Sequence, residues 1–230
     1  MTQLAQALQQ VRSKLDAAAQ AAGRPAQDVQ LLAVSKTFPA AAIREAYAAG
    51  QRAFGENYVQ ELQSKCRELA DLAIEWHFIG PLQSNKSRIV AELAHWVHSV
   101  DRLKIAERLS AQRPAALSAL NVCIQVNVSG EDSKSGCAPQ DAPALLRAVA
   151  ALPGLRVRGL MCIPEPTPDP ALLAARFAVL RQLQQQMAAE GMPLDTLSMG
   201  MSADMAQAVA AGSSMVRVGT AIFGARHYPA

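Results

Sequence analysis

Eight short runs rich in Val, Ile and Leu alternate along this chain with alanine-rich amphipathic stretches, and that alternation restricts its architecture more than any other feature. The runs are VQLLAV (29–34), RAFG (52–55), WHFIG (76–80), WVHSV (96–100), NVCIQVNV (121–128), LRVRGLMCI (155–163), TLSMG (196–200) and MVRVG (215–219). Helical patterning fills the gaps at about 39–50, 57–72, 84–94, 102–112, 139–151, 170–190 and 203–211. Connections this short imply parallel strands, because each crossover helix returns the chain to the same end of the sheet. Eight such units close into a (β/α)8 TIM-type barrel. A doubly wound open sheet would usually show a Gly-rich turn after its first strand, and LLAVSKTFP has no glycine there. An extra helix at about 3–22, with Leu4, Leu8, Val11 and Leu15 at helical spacing, supplies the eighth helix and can cover the gap that a C-terminal one would fill. At 230 residues, with no Pro/Gly/Ser-rich linker, the expectation is one barrel domain spanning 1–230.

Composition narrows the partners. The 22 basic and 19 acidic residues leave a net charge of +3 without Lys/Arg clusters, and 2 Trp, 3 Tyr and 5 Phe offer few stacking platforms, so no nucleic-acid footprint is present. No apolar stretch approaches the roughly 20 residues that span a bilayer, and the N-terminus lacks the continuous apolar core of a signal peptide. Cys66, Cys123, Cys137 and Cys162 form neither a CxxC pair nor a zinc-ligand spacing. They read as small apolar residues in a reduced, cytoplasmic chain. No long exposed apolar helix face stands out, so a monomer is expected.

In a barrel the chemistry lies at the C-terminal ends of the strands. Lys36 ends the first run in phase with Leu32 and Val34, which directs its ammonium to the barrel mouth. Partial burial there would leave free amine able to attack an aldehyde; the other reading is a lysine snorkelling from the strand end. Ser198-Met199-Gly200-Met201-Ser202 follows the seventh run, and Gly219-Thr220 the eighth. Hydroxyls, close-approach glycines and helix starts at these two positions suit a phosphate, although Ser202 alone also fits a helix N-cap. Arg217 is in phase with Gly219 and points inward, toward either an ion-pair partner or a bound heterocycle. Asn57, in GEN after the second run, serves a ligand or an Asx turn equally well. His95 and His98 have no matching carboxylate to make a zinc site, and His77 reads as structural. Gly130 and Gly136 frame a polar loop containing Lys134 whose spacing is not that of a Walker loop, and it reads as a lid.

Taken together, AVSKTFP (33–39), FGENYVQE (54–61), WHFIGPLQSNK (76–86), HSVD (98–101), NVSGEDSKSG (127–136), GLMCI (159–163), LSMGMSADM (197–205) and VRVGTAIFGAR (216–226) resemble the YggS/PROSC-type pyridoxal-phosphate homeostasis family over nearly the whole chain. The resemblance implies a fold-type III barrel, related to the alanine racemase N-terminal domain, in which Lys36 carries pyridoxal 5'-phosphate as a Schiff base. It further implies that Ser202, Gly219 and Thr220 contact the phosphate, Met201 and Ser198 line that end, Asn57 flanks the ring, and Arg217 faces the pyridine nitrogen. Many members carry a lysine two positions after the Schiff-base lysine; this chain has Phe38.

The expected function is therefore a binding protein of vitamin B6 homeostasis that buffers or delivers its cofactor, with apo pyridoxal-phosphate enzymes as transient partners. The rival is a racemase-like enzyme. Racemases of this fold type resemble a barrel fused to a second β-domain, and a chain that stops at residue 230 with no evident tyrosine base fits them less well. Phosphosugar aldolase chemistry through a lysine imine is a third reading.

Overall fold

The computed structural model describes residues 2–130 and 135–225. Eight strands follow one another around a closed parallel barrel in strict sequence order. They are β1 (Gln30–Val34), β2 (Ala53–Glu56), β3 (Glu75–Phe78), β4 (Trp96–Val100), β5 (Leu120–Gln125), β6 (Leu155–Met161), β7 (Thr196–Ser198) and β8 (Met215–Val218). Helices α1 (Gln3–Ala21), α2 (Ala40–Ala48), α3 (Val59–Glu68), α4 (Ser87–Leu93), α5 (Leu103–Gln112), α6 (Ala142–Ala150), α7 (Pro170–Ala189), α8 (Met205–Ala210) and α9 (Thr220–Phe223) surround it.

The two periodicities explain the layering. Leu31 and Ala33 face outward from β1 and join Val216 and Val218 in the main core beneath the helices. Leu32 and Val34 face inward with Met215 and Ile79, as alternation along a strand requires. Helix α1 is started by Thr2, whose Oγ1 accepts the Ala5 N–H at 3.2 Å. It buries Leu8, Val11, Leu15 and Ala19 against α2, α8 and α9, so the leading helix does close the ring where the chain ends meet.

Several strand ends differ from the expected ones. Strand β1 stops at Val34, placing Lys36 in a turn rather than on the strand. Strand β5 stops at Gln125, beyond which Val126 makes one isolated bridge to Cys137. The one-turn helix α9 was not expected; the Gly219 carbonyl starts it by accepting the Ile222 and Phe223 N–H groups at 2.9 and 3.0 Å. The cysteines are all free, and burial pushes the Cys123 and Cys162 thiols up to about 12. No helix among the described residues is long and apolar enough to cross a membrane.

Gly80 ties the fold to the barrel mouth. A Cβ at this position would lie 2.1 Å from the Asn57 carbonyl oxygen and 2.7 Å from its Cα, both backbone atoms that cannot swing aside. Gly80→Ala should therefore displace the segment after β2 and lower stability by roughly 1–3 kcal/mol, read by chemical denaturation. Unchanged stability would contradict this packing.

Candidate functional site

A cavity of about 260 Å³ opens at the C-terminal ends of the strands. Lys36, Asn57, Met201, Ser202, Arg217, Gly219 and Thr220 all line it, with Val34 and Ile79 as apolar wall and Phe38 at the side. Ser198 does not line it. That serine is fully buried, and its Oγ serves His98 and Arg217 instead.

Local folding explains how each group arrives. Gly200 has φ +96°, and a Cβ there would stand 2.4 Å from the Ala208 Cβ, so only glycine lets the loop after β7 pass so close to α8. Beyond it the Met201 N–H donates to Asp204 Oδ1 at 2.5 Å. This tight turn displays Ser202 and Ala203, and α8 starts only at Met205 with Asp204 at its cap. Ser202 is thus not the helix cap. Gly219 lies so near β1 that a Cβ would come within 3.1 Å of the Val34 carbonyl oxygen. The first turn of α9 leaves its opening N–H groups without intrahelical partners. Phe38 stacks on Phe223 of α9, with ring centroids 5.2 Å apart.

Arg217 is the buried cation of the site, only 4% exposed. Its Nη1 donates to the Ser198 carbonyl at 2.5 Å and to Ser198 Oγ at 2.8 Å, and its Nη2 donates to the Cys162 carbonyl at 2.8 Å. Burial lowers its pKa from the ordinary arginine value, yet a guanidinium stays protonated in proteins.

Behind Ser198 a chain of hydrogen bonds crosses the barrel interior. His98 Nδ1 lies 2.8 Å from Ser198 Oγ, His98 Nε2 is 2.9 Å from His77 Nδ1, and His77 Nε2 is 2.7 Å from Glu75 Oε1. Donor and acceptor roles follow from the two ends. An ionised carboxylate only accepts, so His77 donates from Nε2; being neutral, it accepts at Nδ1 from His98 Nε2, which leaves His98 Nδ1 to accept from Ser198. Arginine only donates, which is consistent at the other end. Burial lowers both histidine pKa values, His98 well below the ordinary value, with His77 and Arg217 pushing it the same way. The bond from His77 holds Glu75 below the usual carboxylate range. The chain therefore runs from a guanidinium to a carboxylate with all its dipoles aligned.

The strand pairing that builds this site is shared with known proteins. Residues 7–227 match the family model described as the alanine racemase N-terminal domain. A Pseudomonas aeruginosa protein named pyridoxal phosphate homeostasis protein is 61% identical over 230 residues, covering 100% of this chain and 99% of that one. The chain belongs to this family of pyridoxal phosphate homeostasis proteins. The family member of the same name from Escherichia coli K12 is 55% identical over 236 residues, with 99% of each chain covered. Among solved structures, PipY of Synechococcus elongatus with PLP bound has a TM-score of 0.83 at 44% identity, covering 96% of this chain and 100% of that one. Alanine racemase from Corynebacterium glutamicum aligns at TM-score 0.68 and 17% identity over 96% of this chain and 62% of that one, a likeness of fold alone.

In the sequence His77 reads as structural, and His98 is weighed only with His95 as a zinc pair that lacks its further ligands. The missed signal is parity: His77 shares its strand face with inward Ile79, and His98 with inward Trp96. The geometry predicts that both imidazoles stay neutral with the proton on Nε2 between about pH 6 and 8, as 15N-resolved NMR would report. A proton on Nδ1 of either ring, or titration in that range, would contradict the chain.

Proposed function

We propose that this protein holds pyridoxal phosphate reversibly through Lys36 and buffers or delivers it in vitamin B6 homeostasis, without robust catalysis of its own. One observation carries the reading: Lys36, Arg217, Ser202 and the Gly219–Thr220 loop meet in a single cavity of about 260 Å³. Membership of the family and 44% identity to a protein with PLP bound support it.

The residues fit the cofactor. Asn57 lines the cavity, and its Oδ1 is buried without a hydrogen-bond partner, a cost that a ligand donor would remove. Glycine at position 219 leaves room beside Val34 that a side chain would fill. When bound, pyridoxal phosphate supplies an aldehyde that an amine can capture and a pyridine ring that can withdraw electrons. Lys36 supplies the amine. The hydroxyls of Ser202 and Thr220, with the opening N–H groups of α9, hold the phosphate, and Met201 covers that end. Ser198 acts from below by fixing Arg217. Arg217 presents a permanent charge to the ring nitrogen and disfavours protonation there. That placement weakens the ring as an electron sink and favours storage over carbanion chemistry.

The barrel works as one domain, a cytoplasmic monomer whose mouth meets apo pyridoxal-phosphate enzymes transiently. Phe38, packed on Phe223, offers no second amine near Lys36, so it takes no covalent part in transfer. Lys134 and the centre of its loop lie outside the described residues.

Borohydride reduction followed by peptide mass spectrometry should place a phosphopyridoxyl group on Lys36, and Lys36→Ala should abolish the labelling. Labelling elsewhere, or none, would overturn the assignment. The match to the alanine racemase domain keeps a racemase-like rival in view. Incubation with L-amino acids in deuterated water should give no α-deuterium at enzymatic rates; incorporation at such rates would establish that rival.

A further inference from the structure

Lys36 occupies the second position of a four-residue turn, closed by the Phe38 N–H donating to the Ser35 carbonyl at 3.1 Å. Thr37, in the third position, has φ +68° and is the one described non-glycine residue with positive φ. Turns of this kind place glycine or asparagine there, and a β-branched residue in that region is an outlier held by its surroundings. The Thr37 N–H donates to Glu61 Oε2 at 2.7 Å, from the first turn of α3.

One turn further along α3, Lys65 is almost fully buried, with its side chain 5% exposed. Its Nζ donates to Glu61 Oε2 at 2.7 Å, Glu56 Oε1 at 2.7 Å and the Ser35 carbonyl at 2.9 Å. Three acceptors match the three protons of an ammonium. Ser35 Oγ also donates to Glu56 Oε1, at 2.6 Å. The residue before Lys36 is thus tied to Lys65 and Glu56, and the residue after it to Glu61. A buried ammonium is costly unless paired, and Lys65 faces both carboxylates together with the turn carbonyl.

We propose that Lys65 and Glu61 are positioning residues that clamp the strained turn and aim the Lys36 amine into the cavity. Lys65 has a second consequence. Its Nζ is tied to three acceptors, Glu56, Glu61 and the Ser35 carbonyl, and so does not compete with Lys36 for an aldehyde although the two lysines share Ser35 as neighbour. The inference rests on the proposed role of Lys36 as the cofactor lysine.

The test exploits the strain. Glycine tolerates positive φ, so Thr37→Gly removes the need for the clamp, whereas Glu61→Ala removes the clamp itself. Release of pyridoxal phosphate into a scavenging buffer should be about tenfold faster in Glu61→Ala than in wild type. In a Thr37→Gly background the same substitution should change release less than about threefold. Equal effects in the two backgrounds, or none in either, would overturn the proposal. Lys65→Met, which keeps the side-chain length, should behave as Glu61→Ala does, and a wild-type release rate in that variant would remove Lys65 from the clamp. Cofactor-free protein separates this claim from the functional reading: the Thr37 amide should exchange with deuterium more slowly in wild type than in Glu61→Ala. Equal exchange sinks the clamp whatever the cofactor does, whereas failure to trap cofactor on wild-type Lys36 sinks the functional reading alone.

Discussion

Closure of the barrel between β1 and β8 is the constraint on which the rest of the structure depends. The register pairs Leu32 with Arg217 and Ala33 with Val218, so residues from opposite ends of the chain continue side by side past the strand ends. Lys36 and the Gly219–Thr220 loop share a cavity for this reason. The seam is tight at 219, where a Cβ would stand 3.1 Å from the Val34 carbonyl oxygen. Helix α1 seals the outside of the same seam by packing on α2, α8 and α9. The site is thus a product of topology: parallel pairing of the first and last strands requires all the intervening β/α units.

Inside the barrel, polar groups are arranged so that each charge has somewhere to go. Arg217 is buried, and its guanidinium donates to two carbonyls and a hydroxyl. Ser198, His98 and His77 carry the polarisation across to Glu75 at the far end of β3. Such a chain stabilises a buried cation through aligned dipoles while leaving the face toward the cavity unneutralised. On the other side of the mouth the solution is opposite, since Lys65 is neutralised directly by Glu56 and Glu61. Burial raises Glu56 to about 7, despite Lys65 and Ser35 acting against it. One cation is left available to a ligand and the other is consumed in holding the turn.

Much of this was legible in the sequence. The alternation of runs specified eight strands in the right places; reading their C-terminal ends in order picked out Lys36, Asn57, Ser202, Arg217, Gly219 and Thr220, and the family resemblance added Met201, all of which the fold brings to one cavity. Ser198 does end β7, but nothing in the local pattern reveals that its hydroxyl points under Arg217 instead of lining the cavity. Strand length was overestimated where an apolar run continues beyond the ladder, as at Val126 and Val128 after β5, since those side chains pack into the core without extending the strand. The Glu61–Lys65 pair was invisible as a device. At i,i+4 spacing on a helix it looks like any exposed ion pair, and nothing in the spacing tells that α3 turns it inward against the Lys36 turn.

The proposed function depends on Lys36 capturing pyridoxal phosphate. The most direct measurement is the absorbance spectrum of the purified protein supplied with pyridoxal phosphate, before and after borohydride, beside Lys36→Ala treated identically. A visible band that borohydride abolishes in the wild type and that never forms in Lys36→Ala is the predicted result. A band of equal strength in both proteins, or no band in either, would contradict it.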